Sequence, residues 1–456
     1  MSTVITDVAG VAERPAGFVA NRLAAGWGLG SFATSTMLNG VAVVLLYFLV
    51  NFVKVEPVIA GALLFGAKMF DVFTDPPMGI ISDRTRSKLG RRRPYMLGAS
   101  FFCGLAFALL FNIPEASVTY TYIYIGSGLA LYALAYTAFQ VPYMAMPAEM
   151  TDDYHQRTKI MSWRVIFMTF GNIAGFAGVP ALVSVLGEGR ESYGTMGLVV
   201  GALITVAMFT CFLGTGGARQ TQSTLERIEF KRHLTMLGQN RPLLILIGTK
   251  IAIYVGLSSN IAVALFFISS VLKMGPAQLG LYAGVSALTT IVFMPVCAWA
   301  AKKVGKKRAY VISLIGFCCG LLTWLLATPD ESMVLFAARG FVIGMFGAGA
   351  HLYGQSMLID TFAWDYKLSG VRREGVLSAS FSFVEKSCMA FGPLIVGVLL
   401  SSMGFDKNLS PSADQSASAV QAMYLGFVWI PILCQVVSIA LLKIYNLDEK
   451  ALGAEG

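Results

Sequence analysis

The chain of 456 residues is 56% hydrophobic and 13% charged, with a mean hydropathy of +0.68. Soluble domains carry about a quarter charged residues, so a water-soluble globular protein is excluded. The formal charge of +9 would suit a nucleic-acid partner only if it were gathered on one folded surface, and it is spread instead over short loops between apolar runs.

A run of about 20 apolar residues crosses a bilayer as a helix. Twelve such runs are predicted, at 27–53, 57–82, 94–113, 118–146, 161–186, 194–214, 243–272, 276–300, 309–328, 332–359, 375–404 and 419–444. Several exceed the length needed, so tilt or extension past the hydrocarbon is expected. Residues 1–26 form a polar cytoplasmic segment without a cleavable leader, and 445–456 form a cytoplasmic tail. The longest polar interruption, 215–242, leaves six spans on either side, giving one six-helix bundle over 27–214 and a second over 243–444. Within it, Leu225, Ile228, Phe230, His233 and Leu237 are spaced for a short amphipathic helix on the membrane surface.

With the N-terminus in the cytoplasm, only Lys54, Arg190, Lys273 and Lys407 fall outside, and Lys68, Arg164, Lys250, Arg339 and Lys386 lie within spans. The other 25 of the 34 Lys and Arg are then cytoplasmic, the bias that orients bacterial inner-membrane proteins. All seven cysteines lie in apolar runs as small buried groups, with no disulfide framework or metal cluster implied. The loops hold neither a catalytic cluster nor a nucleotide-binding glycine loop, so neither an enzyme nor ATP-driven transport is expected.

The second run contains "KMFDVFTDPPMG", residues 68–79. On a helix Lys68, Asp71 and Asp75 share one face. Asp71 is fourteen residues into its run, near the bilayer midplane, where a charge costs several kcal/mol unless paired or hydrated. Pro76 and Pro77 cannot donate to the carbonyls of Val72 and Phe73, which are therefore freed or strained. Two carboxylates, the Thr74 hydroxyl and loosened carbonyls make an oxygen-rich pocket for a small cation or a proton. A structural Lys68–Asp71 bridge beside a proline kink is the plainer alternative. Lys250 and Arg339 are expected to be structural or interfacial anchors.

The halves repeat. "LGRRRPY" (Leu89–Tyr95) and "VGKKRAY" (Val304–Tyr310) are offset by 215 residues and each opens the third run of its half. Parallel six-span repeats with a solute site between them build one large class of transporters.

The fuller first copy, "GIISDRTRSKLGRRRP" (Gly79–Pro94), resembles the loop motif of the major facilitator superfamily. The resemblance implies an all-α membrane fold of twelve transmembrane helices in two six-helix bundles. It assigns Asp83, Arg84, Arg91 and Arg92 to a conformational latch of the outward-facing state. Five elements in order are similar to one branch, the glycoside–pentoside–hexuronide:cation symporters: "GWGLG" (Gly26–Gly30), Asp71 to Arg91, "YTAFQVPYMAMPAEMT" (Tyr136–Thr151), "DTFAWDYKLSGVRREG" (Asp360–Gly375) and "SFVEKS" (Ser382–Ser387). That resemblance implies uptake of a sugar or glycoside with Na⁺ or H⁺, no resident cofactor, and a monomer in the lipid bilayer. It places the cation at Asp71, Asp75, Thr74 and Thr137, with Lys386 and Lys68 in coupling. It places the solute against Ser35, Gln140, Met144, Arg164 and His351. Where the branch's galactoside carriers have acids on helices one and four and a stacking tryptophan, this chain has Ser35, Gln140 and Met144. A less anionic site suits an acidic sugar, another glycoside or a more apolar solute. The same-fold alternative is a cation-coupled carrier of a lysophospholipid-like amphiphile, since a lipid-transporting branch shares the Asp pair and the helix-eleven lysine.

Overall fold

The computed structural model describes residues 19–151, 153–218, 240–329, 331–369 and 374–447. The segment before residue 19, the expected surface helix within 225–237, residues 370–373 and the tail beyond 447 lie outside the described residues. Among the described residues, twelve helices are long and apolar enough to cross a membrane. In lipid every backbone N–H and C=O must be bonded within its own segment, so apolar runs of this length become helices.

The first half contains α1 (Asn21–Asn51), α2 (Pro57–Arg84), α3 (Arg93–Phe111), α4 (Val118–Met150), α5 and α6 (Arg190–Gly214). Helix α5 runs Tyr154–Ile173, widens through Ala174–Gly178 and ends with Val179–Val185. The second half contains α7 (Arg241–Phe266, widened at Phe267–Val271), α8 (Pro276–Val304), α9 (Lys306–Leu322), α10 (Met333–Ser369), α11 (Glu374–Ser402) and α12. Helix α12 comprises Ala417–Tyr424, a wide turn Leu425–Trp429 and Ile430–Lys443.

Three ends depart most from the predicted spans, the first being α1, which begins at Asn21, six residues before its apolar run and inside the expected polar segment 1–26. Asp153 caps α5 by accepting from Gln156 N at 2.8 Å, so the helix begins seven residues before the apolar run. Helix α10 continues through polar "DTFAWDYKLS" to Ser369, because a helix outlasts its apolar window once water can solvate its side chains. Helix α2 runs unbroken from Pro57 to Arg84 with Pro76 and Pro77 inside it.

The sequence repeat is also a structural one. Gly90 and Gly305, at matching places in the two loop motifs, have φ of +94° and +84°, a region costly for any residue with a Cβ. Just beyond each glycine, a basic side chain reaches the carbonyl end of the last helix in its half. Arg93 Nη2 donates to Phe212 O at 3.1 Å, and Lys307 Nζ donates to Tyr445 O at 2.6 Å. Cations at helix C-termini satisfy orphan carbonyls and oppose the helix dipole.

The halves meet mainly on the face opposite these basic loops. There α2 crosses α11 so closely that a methyl group on Gly61 would collide with Pro393 O, and one on Gly397 with Pro57 O. Helix α8 meets α5 likewise, a Cβ at Gly280 standing 2.8 Å from Ala177 O. Polar ties reinforce the seam. Lys407 pairs with Glu56 at 2.6 Å, Lys54 Nζ donates to Lys407 O at 2.6 Å, and Val58 N donates to Ser401 Oγ at 3.0 Å.

Candidate cation and solute site

The midplane residues of α2 meet α4 and α11. Asp71 is buried, with 5% exposure, and Asp75 lies one helical turn on and half-buried. Thr137 of α4 sits between the two carboxylates, its hydroxyl 2.7 Å from Asp71 Oδ1 and 3.0 Å from Asp75 Oδ1. Thr74 Oγ1 donates to Asp71 O at 3.1 Å and lies 3.3 Å from Thr137 Oγ1. Lys386 reaches over from α11, in the other half of the molecule. Its ammonium is 3.5 Å from Asp71 Oδ2, bonds Asp75 Oδ2 directly, and stands 5.8 Å from the centre of the Tyr136 ring. The four residues assigned to the cation and the α11 lysine are therefore brought together. Two carboxylates and one ammonium leave a formal charge of −1, which one monovalent cation balances. Oxygen ligands from two carboxylates and two hydroxyls suit a hard cation.

Lys68 does not join them. It makes no ion pair among the described residues, and Asp71 is turned to Thr137 and Lys386 instead. Lys68 lines a mostly apolar cavity between α1, α2 and α4 together with Asp71, Leu64, Tyr132 and Tyr136. The Lys68–Asp71 bridge weighed from sequence does not form.

The residues assigned to the solute lie on α1, α4, α5 and α10. Gln140 is one turn from Thr137 on α4, and its Oε1 is buried without a hydrogen bond. Arg164, ten residues inside α5, has a buried Nε that also lacks a partner and lies within electrostatic reach of Tyr136 and Tyr143. Ser35 packs against Gly171 of α5, a Cβ on that glycine falling 2.9 Å from the Ser35 Cβ. Met144 is half-buried against the apolar core of the first half, and His351 is exposed on α10. Behind Gln140, Tyr143 stacks on Trp27 at 4.6 Å and shares a 2.7 Å hydrogen bond with Ser31 Oγ. Sequence reasoning passed over Trp27, Ser31 and Tyr143. The available signal was a Trp and a Ser on α1 and a Tyr on α4, hydrogen-bonding groups set inside apolar runs.

At the basic loop of the first half, Arg92 pairs with Asp83 at 2.9 Å and with Glu149 of α4 at 2.5 Å, and Arg91 joins Glu149 at 2.7 Å. Arg84, expected in the same latch, is exposed and makes no ion pair among the described residues. Glu149 was not foreseen, although it is a lone acid at the α4 end nearest the Arg run. The second half has the simpler counterpart Lys306–Asp360 at 2.7 Å. Of the two expected structural or interfacial anchors, Arg339 pairs with Glu331 and covers the Trp324 ring at 4.9 Å, and Lys250 is buried with no ion pair among the described residues.

A family model described as "MFS/sugar transport protein" matches residues 26–449. The chain is 28% identical to the uncharacterized symporter YnaJ of Bacillus subtilis, over 93% of this chain and 91% of that one. It is 26% identical to the isoprimeverose transporter of Lactiplantibacillus pentosus, over 93% and 88%. It is 24% identical to a putative sulfoquinovose importer of Salmonella typhimurium, over 93% and 89%. Among solved structures, the nucleoside transporter NupG superposes with a TM-score of 0.66 at 12% identity, covering 92% of this chain and 99% of that one. A bacterial Spinster homologue in an inward-facing, unoccupied conformation also gives 0.66 at 14% identity, covering 94% and 97%. These proteins are carriers, not enzymes. Twelve spans, two repeated halves and a match over nearly the whole chain identify an integral membrane transporter that belongs to the MFS/sugar transport protein family, in its glycoside–pentoside–hexuronide:cation symporter branch.

Proposed function

We propose that the protein imports a sugar or glycoside together with one Na⁺ or H⁺ across the bacterial inner membrane, both termini facing the cytoplasm. The cation binds between Asp71, Asp75, Thr74 and Thr137. The solute binds beside it, against Ser35, Gln140, Met144, Arg164 and His351. The contact of Lys386 with both carboxylates carries this reading. An ammonium tethered to the opposite half occupies the place where a free cation would sit. It cancels one of the two negative charges of the empty site and ties α2 to α11. An entering cation displaces it, and solute bound between the halves completes the charge-balanced state that crosses.

With both termini in the cytoplasm, the seam on the face opposite the basic loops supports an arrangement closed on its outer side by Gly61, Gly397 and the Lys407–Glu56 pair. The Asp83–Arg92–Glu149 cluster then ties the inner ends of α2 and α4. Unpaired polar atoms on Gln140 and Arg164 favour an oxygen-rich solute over a lysophospholipid, because buried polar groups without partners are costly until a ligand satisfies them. The experiment is uptake into proteoliposomes from a panel of isoprimeverose, melibiose, sulfoquinovose and glucuronate, with and without Na⁺ and with and without a pH gradient, alongside a labelled lysophospholipid. Uptake of a panel sugar that depends on either gradient is expected. Gradient-dependent uptake of the lysolipid alone contradicts the reading.

A further inference from the structure

The inner wall of the second half carries a charged group that the cation site does not use. Glu385 precedes Lys386 on α11, so about 100° of helical turn separates them. Lys386 points to α2, and Glu385 turns back toward α7, where Tyr254 and Lys250 lie beside it. Lys250 is only 3% exposed, with no carboxylate within ion-pair distance among the described residues. Its ammonium rests against the Gly354 backbone of α10, 5.8 Å from the Tyr254 ring centre and 5.9 Å from that of Tyr310. The Tyr310 hydroxyl on α9 is buried without a hydrogen bond, and exposed His351 on α10 lies within reach of Lys250. Glu385 itself is half-buried and makes no ion pair among the described residues.

A carboxylate kept ionised at this depth needs a nearby cation and donors. Lys250 supplies the first from behind, and the Tyr254 hydroxyl lies beside the carboxylate as a candidate donor. The remaining lone pairs have no partner among the described residues. The first half shows the converse deficit, because Ser35 and Gln140 provide no carboxylate. The repeat aligns the two walls. Lys54 and Lys273 both have positive φ and close corresponding first helices 219 residues apart, which sets Tyr254 opposite Ser35. The 215-residue offset of Gly90 and Gly305 sets Gln355 opposite Gln140.

We propose that Glu385 is the acid that clamps the solute, accepting two hydroxyls of a polyhydroxylated sugar from the second half. Lys250 and Tyr254 position it, and His351 borders the same subsite. This rests on the sugar-carrier reading and adds to it the residue that selects vicinal hydroxyls.

The test is thermal stabilisation of the purified full-length protein by isoprimeverose, melibiose, sulfoquinovose and glucuronate, followed by titration of the best binder and of its monodeoxy analogues. Glu385→Gln should weaken that binder by ten- to a hundred-fold and Glu385→Asp by less. Stabilisation by Na⁺ or by acid alone should stay as in wild type. The penalty for removing one hydroxyl from the sugar should disappear in Glu385→Gln. Where that variant does not fold, the double variant Lys250→Met with Glu385→Gln removes both charges and should show the same loss. Unchanged sugar affinity with altered Na⁺ or pH dependence overturns the inference and makes Glu385 part of cation handling. A wild type that no panel sugar stabilises refutes the sugar-carrier reading itself. A wild type that binds a sugar, with a Glu385→Gln variant that binds it equally, refutes only the clamp.

Discussion

Replacing Asp75 with Asn removes one of the two negative charges at the midplane while keeping an oxygen for the Thr137 hydroxyl, now 3.0 Å from Asp75 Oδ1. In the native cluster, Asp71, Asp75 and Lys386 sum to −1, so one monovalent cation restores neutrality and one charge crosses per cycle. A charge moved through about 100 mV is worth about 2.3 kcal/mol. At about 1.36 kcal/mol per factor of ten, that potential supports about 50-fold accumulation of a neutral sugar. With Asp75→Asn, the remaining carboxylate and Lys386 already cancel, no cation is required, and accumulation should collapse to a ratio near one. Asp71→Asn should behave in the same way. The assay is uptake of the best-binding panel sugar into proteoliposomes held at about 100 mV by a potassium gradient and an ionophore. Insertion is verified by the yield of folded protein. Accumulation in both variants equal to wild type would refute the assignment of the cation site.

Lys386→Ala leaves two carboxylates uncompensated in the empty carrier, so net uptake should fall far more than exchange of internal for external sugar. Equal losses in the two assays would remove Lys386 from the return step. Gln140→Ala should raise the apparent KM for the sugar by one to two orders of magnitude, following about 1–3 kcal/mol for a buried partner left unpaired, with cation dependence retained. Steady-state uptake kinetics at fixed Na⁺ and pH measure it. Gly305→Ala meets no atom within 4 Å, so its cost is backbone strain alone at φ +84° and ψ 146°, about 1–3 kcal/mol. Gly66→Ala, also in open space but inside α2, should stabilise by about 0.5–1 kcal/mol. Thermal unfolding in detergent should move in opposite directions for the two.

The spans were legible because lipid permits a single backbone solution for runs of that length, and composition alone finds them. Their ends were less so: α5 and α10 are set by the Asp153 cap and by a polar extension that no hydropathy window sees. The wide turns in α5, α7 and α12 left no mark in the sequence. Asp71, Asp75 and Lys386 stood out because each places a charge where lipid would exclude it, and the resemblance supplied Thr137. The pairing was harder to read. Helical spacing put Lys68 and Asp71 on one face, yet Asp71 turns to Thr137 and to a lysine 315 residues away, a contact only the meeting of two halves creates. Glu149 and Glu385 escaped for a similar reason, since the cations near them, Arg91 in the loop before α3 and Lys250 on α7, come from other parts of the chain. Glu385 was further masked by the lysine that follows it.

Sugar-induced cation movement tests the central claim most directly. In proteoliposomes with no imposed gradient other than the sugar, addition of the best-binding panel sugar should drive Na⁺ inward, read with ²²Na⁺, or protons inward, read as external alkalinisation. The flux should be about one cation per sugar, given the −1 charge of the Asp71–Asp75–Lys386 cluster. It should vanish in Asp75→Asn. Sugar entry into wild-type vesicles with neither flux would contradict symport.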